Sequence, residues 1–214
     1  MEAIFTSDNL RFMMEGLWLT VKISLATTVI SLIFGSILAV LRNYGNKFFA
    51  GIASIYIEIF RNTPLLLWIL AIRFMVPIPA VYAAVLSFSL FTSAIIAEIV
   101  RGGLNSIPKG QFEAAYSQGF TTLQTLLVIV IPQCFRNIIP TLLSQITTTV
   151  KDTSFLAHVA IAEFTWNGRV VMGSLRTSTQ IFLLYAFMGL IYFIINFTLS
   201  VIVRTMQKRK RQTA

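Results

Sequence analysis

"LWLTVKISLATTVISLIFGSILAVL", residues 17 to 41, carries one charge, Lys22, in a run of apolar, small and hydroxyl side chains. A helix crosses the hydrocarbon layer with roughly 20 such residues, so this stretch reads as a span. Comparable runs follow at about Gly51 to Val76, Ala80 to Val100, Cys134 to Val150 and Thr177 to Val203. Composition agrees: 56% hydrophobic residues, 12% charged and a mean hydropathy of +0.78 give 214 residues more apolar surface than one soluble core hides. The first and last runs hold almost no polar break, which sets aside buried helices of a large soluble enzyme. The reading is an all-α integral membrane domain over residues 1–214, with about five transmembrane helices.

Basic residues set the orientation. Arg42 and Lys47, then Arg101 and Lys109, then Arg204, Lys208, Arg209, Lys210 and Arg211 follow the first, third and fifth runs, and the positive-inside rule makes those segments cytoplasmic. Residues 1 to 16 hold Glu2, Asp8 and Glu15 against Arg11 alone, which places the N-terminus outside and argues against a cleaved signal peptide. The net charge of +9 then reflects topology, not nucleic-acid binding, and the tail "VRTMQKRKRQ" reads as a headgroup anchor. Cys134 and His158 each stand alone, so neither an intrachain disulfide nor a familiar metal-ligand spacing can be drawn. There is no G-x-S-x-G, H-E-x-x-H or P-loop sequence.

Prolines and glycines punctuate the rest. "RNYGNK" closes the first helix, "VPIPA" makes an outer turn, and "RGGLNSIPKG" ends the third. Pro132 and Pro140 divide the segment beyond Gly119 and point to an interfacial lead-in over residues 121 to 131, with the fourth crossing starting near Cys134; one kinked helix running through is the alternative. Between Pro108 and Gly119 lies "KGQFEAAYSQ", a polar helix too short to be stable alone in water. Ala114 and Ala115 give it a low-profile face, with Gln111, Glu113 and Gln118 wet elsewhere. Two readings are open from physics alone: a plug for a partner's socket, or an ordinary interfacial helix.

The pattern "EAAYSQGF" with "IVIPQ", that is Glu113, Ala114, Ala115, Gly119, Ile131 and Pro132, resembles the E-A-A-x-x-x-G-x(9)-I-x-L-P signature of ABC importer permeases. Ile131 stands where that signature has leucine, and Ile129 supplies the isoleucine. "FRNTPLL" (60–66), "SAIIAEIVRGGLNSIPKGQ" (93–111) and "VKDTS" (150–154) are similar to the polar amino acid subfamily. The resemblance implies a multi-pass subunit of the bacterial plasma (inner) membrane that performs no catalysis. It implies a second permease chain, two cytosolic ATPases that bind ATP and Mg, and an extracytoplasmic amino-acid-binding protein. Residues 109 to 119 become a cytoplasmic coupling helix that engages the ATPase through Glu113, Ala114, Ala115 and Gly119, and no cofactor belongs to the chain itself. An ATP-independent carrier or channel would lack a reason for that helix. An integral-membrane transferase would need a nucleophile or acid/base cluster that the sequence does not contain. After "KDTS" the chain departs from the subfamily, with Phe155, Leu156 and His158 before Glu163.

Charges within spans tend to face a bundle interior or water. Glu58 with Arg61, and Glu98 with Arg101, lie i,i+3 and can neutralise each other locally. The second pair reads as structural or as a gate contact. The first divides between helix pairing and the pathway, because Pro64 frees a backbone carbonyl. Lys22 reads as a snorkelling side chain. Substrate is expected at Lys151 and Asp152, roughly 25 Å along a helix that starts near Cys134, with Ser154, Glu58 and Thr63 as further contributors. Adjacent residues point about 100° apart, which leaves one charge for each end of a zwitterion. The alternative is that Lys151 and Asp152 cap helix ends at the outer surface.

Overall fold

The computed structural model describes residues 4–212, with side chains over 4–207. Glu2 and the side chains of Lys208, Arg209, Lys210 and Arg211, on which the topology reading draws, lie outside this description. The described residues form helices and connecting turns without a strand.

Small side chains build the central seam between α1 (Ser7–Tyr44) and α4 (Ala80–Asn105). Along α1, Gly16, Thr20, Ser24, Thr27, Ser31 and Gly35 recur every three or four residues and are buried; Ser31 and Gly35 meet α4, while Gly16 and Thr20, further up the same stripe, meet Glu163 before α8. Ser31 Oγ donates to the Ser89 carbonyl at 3.2 Å, and a Cβ on Gly35 would sit 2.6 Å from the Ser93 carbonyl oxygen. Lipid tails are as apolar as leucine, so close backbone approach of this kind, not burial from water, holds membrane helices together.

The seam also fixes direction. Ser31 meets Ser89, Gly35 meets Ser93 and Asn43 meets Asn105, so the residue numbers rise together and α1 and α4 run parallel. The chain must therefore return between them. It does so through α2 (Lys47–Arg61) and α3 (Leu65–Met75), whose axes bend by 101° at the intervening residues. Pro64 has no N–H to continue the ladder, Thr63 Oγ1 donates to the Ile59 carbonyl at 2.7 Å, and Trp68 Nε1 donates to Thr63 Oγ1 at 2.7 Å. Four described helices are long and apolar enough to cross a membrane singly, and the bent pair makes up to five, in line with the sequence reading.

After α5 (Lys109–Ser117), the region divided at Pro132 in one sequence reading is a single helical rod. Thr121 starts it with a capping box shared with Gln124, and α6 (Thr122–Gln124) leads through a π-helical stretch, Thr125–Val130, into α7 (Ile131–Asp152). The separate lead-in is thus corrected in favour of the continuous helix. Ile131 N–H bonds the Leu126 carbonyl, and this widened turn absorbs the donor missing at Pro132 where a break was expected. Within α7, Ser144 Oγ donates back to the Pro140 carbonyl at 3.1 Å, one turn before it.

A 3-10 stretch, Thr153–Val159, and α8 (Phe164–Met172) then lead to α9 (Ser178–Gln212). Cys134 and Ile138 face Gly103 while Ile146 lines a crevice with Thr92, so α7 runs antiparallel to α4. Lys151 shares a cavity with Met188 and Ser144 shares a cleft with Arg204, so α9 runs antiparallel to α7. α1 and α4 thus run one way, α7 the other and α9 the same way as α1, so Ser7 and Gln207 lie at opposite ends of the helical bundle.

Candidate functional site

Three regions of the chain hold the polar groups that the sequence singles out. At the end of α4, only residues 106–108 separate Asn105 from α5. Pro108 precedes the first turn of α5. At the other end Gly119 takes φ +81°, which lets the Phe120 N–H bond the Ala115 carbonyl (3.1 Å) and the Gly119 N–H bond that of Tyr116 (2.9 Å). This pair of bonds is a Schellman cap and stops the helix sharply. The alanines divide: Ala115 is 3% exposed and faces the chain's own core, while Ala114 is exposed beside Glu113 and Tyr116. Ala115 therefore seats α5 on the π-helical stretch, and the outward face consists of Glu113, Ala114, Tyr116 and the cap. Gln133 Nε2 ties the helix to α7 by donating to Gln111 Oε1 at 3.1 Å.

At the opposite end, Lys151 and Ser154 line a cavity of about 340 Å³ with Thr165, Tyr185, Met188, Gly189 and Tyr192. Lys151 also reaches a second cleft with Thr147, Ser200 and Arg204. Asp152 is half-buried beside it and makes no cap hydrogen bond to the 3-10 stretch that continues the chain. Behind the cavity wall, Glu163 is 0% exposed. Its carboxylate accepts from the Trp166 N–H (2.8 Å), the Thr165 N–H (2.9 Å), Thr20 Oγ1 (3.3 Å) and the Tyr192 hydroxyl (3.3 Å). Burial pushes this carboxyl above the ordinary carboxylate range, and the four hydrogen bonds oppose the shift. One side chain thus caps α8 and joins it to α1 and α9.

Glu58 and Thr63 belong to a different place, beside the α2–α3 bend. Glu58 accepts from Arg42 Nη2 at 3.2 Å and from Asn62 Nδ2 at 3.1 Å, instead of pairing with Arg61 as the i,i+3 spacing led us to expect. Arg61 reaches across to Glu98 Oε2 at 3.3 Å. Glu98 also takes Arg42 Nη1 at 2.7 Å and keeps the anticipated bidentate partner Arg101, at 2.9 and 2.8 Å. Local neutralisation thus describes only the Glu98–Arg101 pair. Lys22, expected to snorkel, lies over the Trp18 ring with its Nζ 5.9 Å from the centroid. No group of three or more potential metal-ligating side chains occurs among the described residues.

Sequence reasoning missed Glu163, Tyr192 and the bridging role of Arg42. In the sequence Arg42 reads only as a cytoplasmic charge. A carboxylate placed just before a helical run is a weak N-cap signal, and nothing local marks the partners that come from other helices.

Comparison with known proteins adds a family match, two relatives and two solved structures. Residues 31–212 match the family described as binding-protein-dependent transport system inner membrane component. The chain is 32% identical over 211 residues to the probable glutamine ABC transporter permease protein GlnP of Bacillus subtilis (strain 168), covering 96% of this chain and 97% of that one. It is also 32% identical to the glutamate/aspartate import permease protein GltK of Escherichia coli O157:H7, covering 94% of each. Among solved structures, an amino acid ABC transporter crystallised with histidines superposes with a TM-score of 0.83 at 29% identity, covering 94% of each chain. The inward-facing MetNI methionine ABC transporter, at 18% identity and a TM-score of 0.76, shares the fold.

Proposed function

We propose that this chain, which belongs to the family of binding-protein-dependent transport system inner membrane components and resembles its polar amino acid ABC importer permeases, forms one half of an ATP-driven, alternating-access pathway. The observation that carries the reading is α5: a short helix, sharply capped and tied to α7, with Glu113, Ala114 and Tyr116 exposed directly after a spanning helix. Such a helix gives a cytosolic ATPase a rigid handle. In this reading the ATPase binds ATP and Mg, a second permease chain completes the pore, and an extracytoplasmic binding protein delivers the amino acid. The subunit sits in the bacterial inner membrane with residue 4 outside and α5 in the cytoplasm, since Arg42, Lys47, Arg101, Lys109 and Arg204 follow alternate crossings. A cysteine replacing Thr6 then reacts with an impermeant maleimide in intact cells, and reaction only after lysis reverses the orientation.

The amino acid is held at the end of α7. Lys151 takes the carboxylate and Ser154 a further polar contact in the cavity completed by Thr165, Tyr185 and Tyr192, and the half-buried Asp152, next to Lys151 in the chain but not among the lining residues, takes the ammonium. A site at a helix break near mid-membrane is where transporters expose backbone groups to a substrate. Radiolabelled glutamine, glutamate and arginine uptake into proteoliposomes that hold the whole complex provides the test. Wild-type uptake requires ATP, whereas Asp152→Asn assembles, keeps near-normal basal ATPase and transports nothing. Wild-type uptake by Asp152→Asn places the site elsewhere, and ATP-independent uptake by this chain alone replaces the importer with a carrier.

A further inference from the structure

Glu98 holds more cationic groups than its charge requires. Arg101, one turn away on the same helix, already grips both carboxylate oxygens, and a bidentate guanidinium neutralises a carboxylate by itself. Yet Arg42 from the last turn of α1 and Arg61 from the last turn of α2 reach the same group, at 2.7 and 3.3 Å. With Glu58 on Arg42, the cluster joins three arginines to two glutamates and keeps one surplus positive charge. These two additional arms join α1 and α2 to α4, a linkage that neutralisation leaves unexplained. They converge on the stretch of α4 that leads, through residues 106–108, into α5. Arg61 is also the last residue before the bend that separates α2 from α3. Glu98 is 16% exposed and its guanidinium partners more so, so the pairs sit where partial hydration allows them to exchange, unlike a sealed core.

We propose that Glu98 is a positioning residue whose two interhelical arms, Arg42 and Arg61, clamp α1 and the α2–α3 bend to the helix that carries α5. Movement of α5 by a partner is then passed to the bend through Glu98, while Arg101 only neutralises the carboxylate within α4. The proposal rests on the importer reading of α5.

The test separates the arms. Arg42→Gln, Arg61→Gln and Arg101→Gln are each placed in the complete complex in proteoliposomes, and amino acid transported per ATP hydrolysed is measured with loaded binding protein. Losing either interhelical arm lowers that ratio by about fivefold, on the scale of allosteric coupling energies, while losing the intrahelical arm changes it by less than about twofold. Arg61→Lys, which keeps the charge, recovers most of the ratio. It also decides the matter if Arg42→Gln does not assemble. Equal losses in all three variants reduce the cluster to neutralisation, and unchanged ratios in Arg42→Gln and Arg61→Gln overturn the clamp outright. A wild-type complex without ATP-coupled uptake fails the importer reading itself, which is a different result from a coupled wild type with coupled variants.

Discussion

The α8 end and the α5 end of this molecule solve the same problem in opposite ways. Each has a carboxylate shared by several helices and a residue in the left-handed backbone region. At the α8 end, Glu163 is sealed from solvent and held by neutral donors, two of them backbone N–H groups of the helix that it caps. At the α5 end, Glu98 is partly exposed and held by guanidinium groups, and the nearby helix α5 turns Glu113, Ala114 and Tyr116 outward. Neutral hydrogen bonds in a closed site fix one geometry, because each donor left unpaired by a movement would remain buried. Ion pairs in a partly wet site rearrange with smaller penalties. On the importer reading, the contrast makes the α8 end the scaffold and the α5 end the one that a partner moves.

Removing the sealed carboxylate is the most damaging way to break this contrast. Glu163→Ala leaves the α8 N–H groups of Thr165 and Trp166 buried without their acceptor and opens a void, a loss of about 3 kcal/mol or more. Thermal unfolding of the purified complex in detergent should show a clear drop in midpoint. A midpoint equal to wild type would mean that α8 does not depend on this cap.

At the α5 end the effect is smaller in stability and larger in function. Gly119→Val forces a β-branched residue to φ +81°, at a cost of about 1–2 kcal/mol confined to the Schellman cap. A Cβ there meets nothing within 4 Å, so backbone conformation and not crowding causes the damage. The membrane core stays folded, whereas ATPase stimulation by loaded binding protein falls. Full stimulation together with full uptake would remove α5 from the coupling path.

The smallest change sharpens the comparison, since the α8 end uses alanine where the α5 end uses glycine. Ala160 sits at φ 54°, in the turn between the 3-10 stretch and Glu163. Ala160→Gly relieves the left-handed penalty, offset in part by the extra entropy of the unfolded chain, for a net gain of about 0.5–1 kcal/mol. The unfolding midpoint should rise slightly with transport unchanged; a fall would show that the alanine methyl group makes a contact worth more than the strain.

Much of this architecture was already legible in residue order. Apolar runs long enough to cross a bilayer are a local property, because the solvent itself demands roughly 20 consecutive residues. Pro108 and Gly119 bracket α5 correctly because each acts on its own backbone angles. The bend after Arg61 was half legible: Pro64 announced a lost donor, but its 101° angle depends on Thr63 and Trp68 closing the corner. Pro132 misled for the converse reason, since the same missing donor was absorbed by a π-helical turn and the helix ran on.

Sequence by itself determined that this chain lives in a bilayer, roughly where its apolar runs lie, and which short segment stands apart from them. Apart from the Glu98–Arg101 pair, tertiary structure decided what the charges do. Arg42 and Glu98 are 56 residues apart, Thr20 and Glu163 are 143 apart, and Glu58 turned from its helical neighbour to an arginine on another helix. Helical spacing specifies which side chains share a face. The choice among several charged partners within reach is made only when helices pack, because inside a bilayer a buried charge settles on whichever partner the packing brings within hydrogen-bond distance.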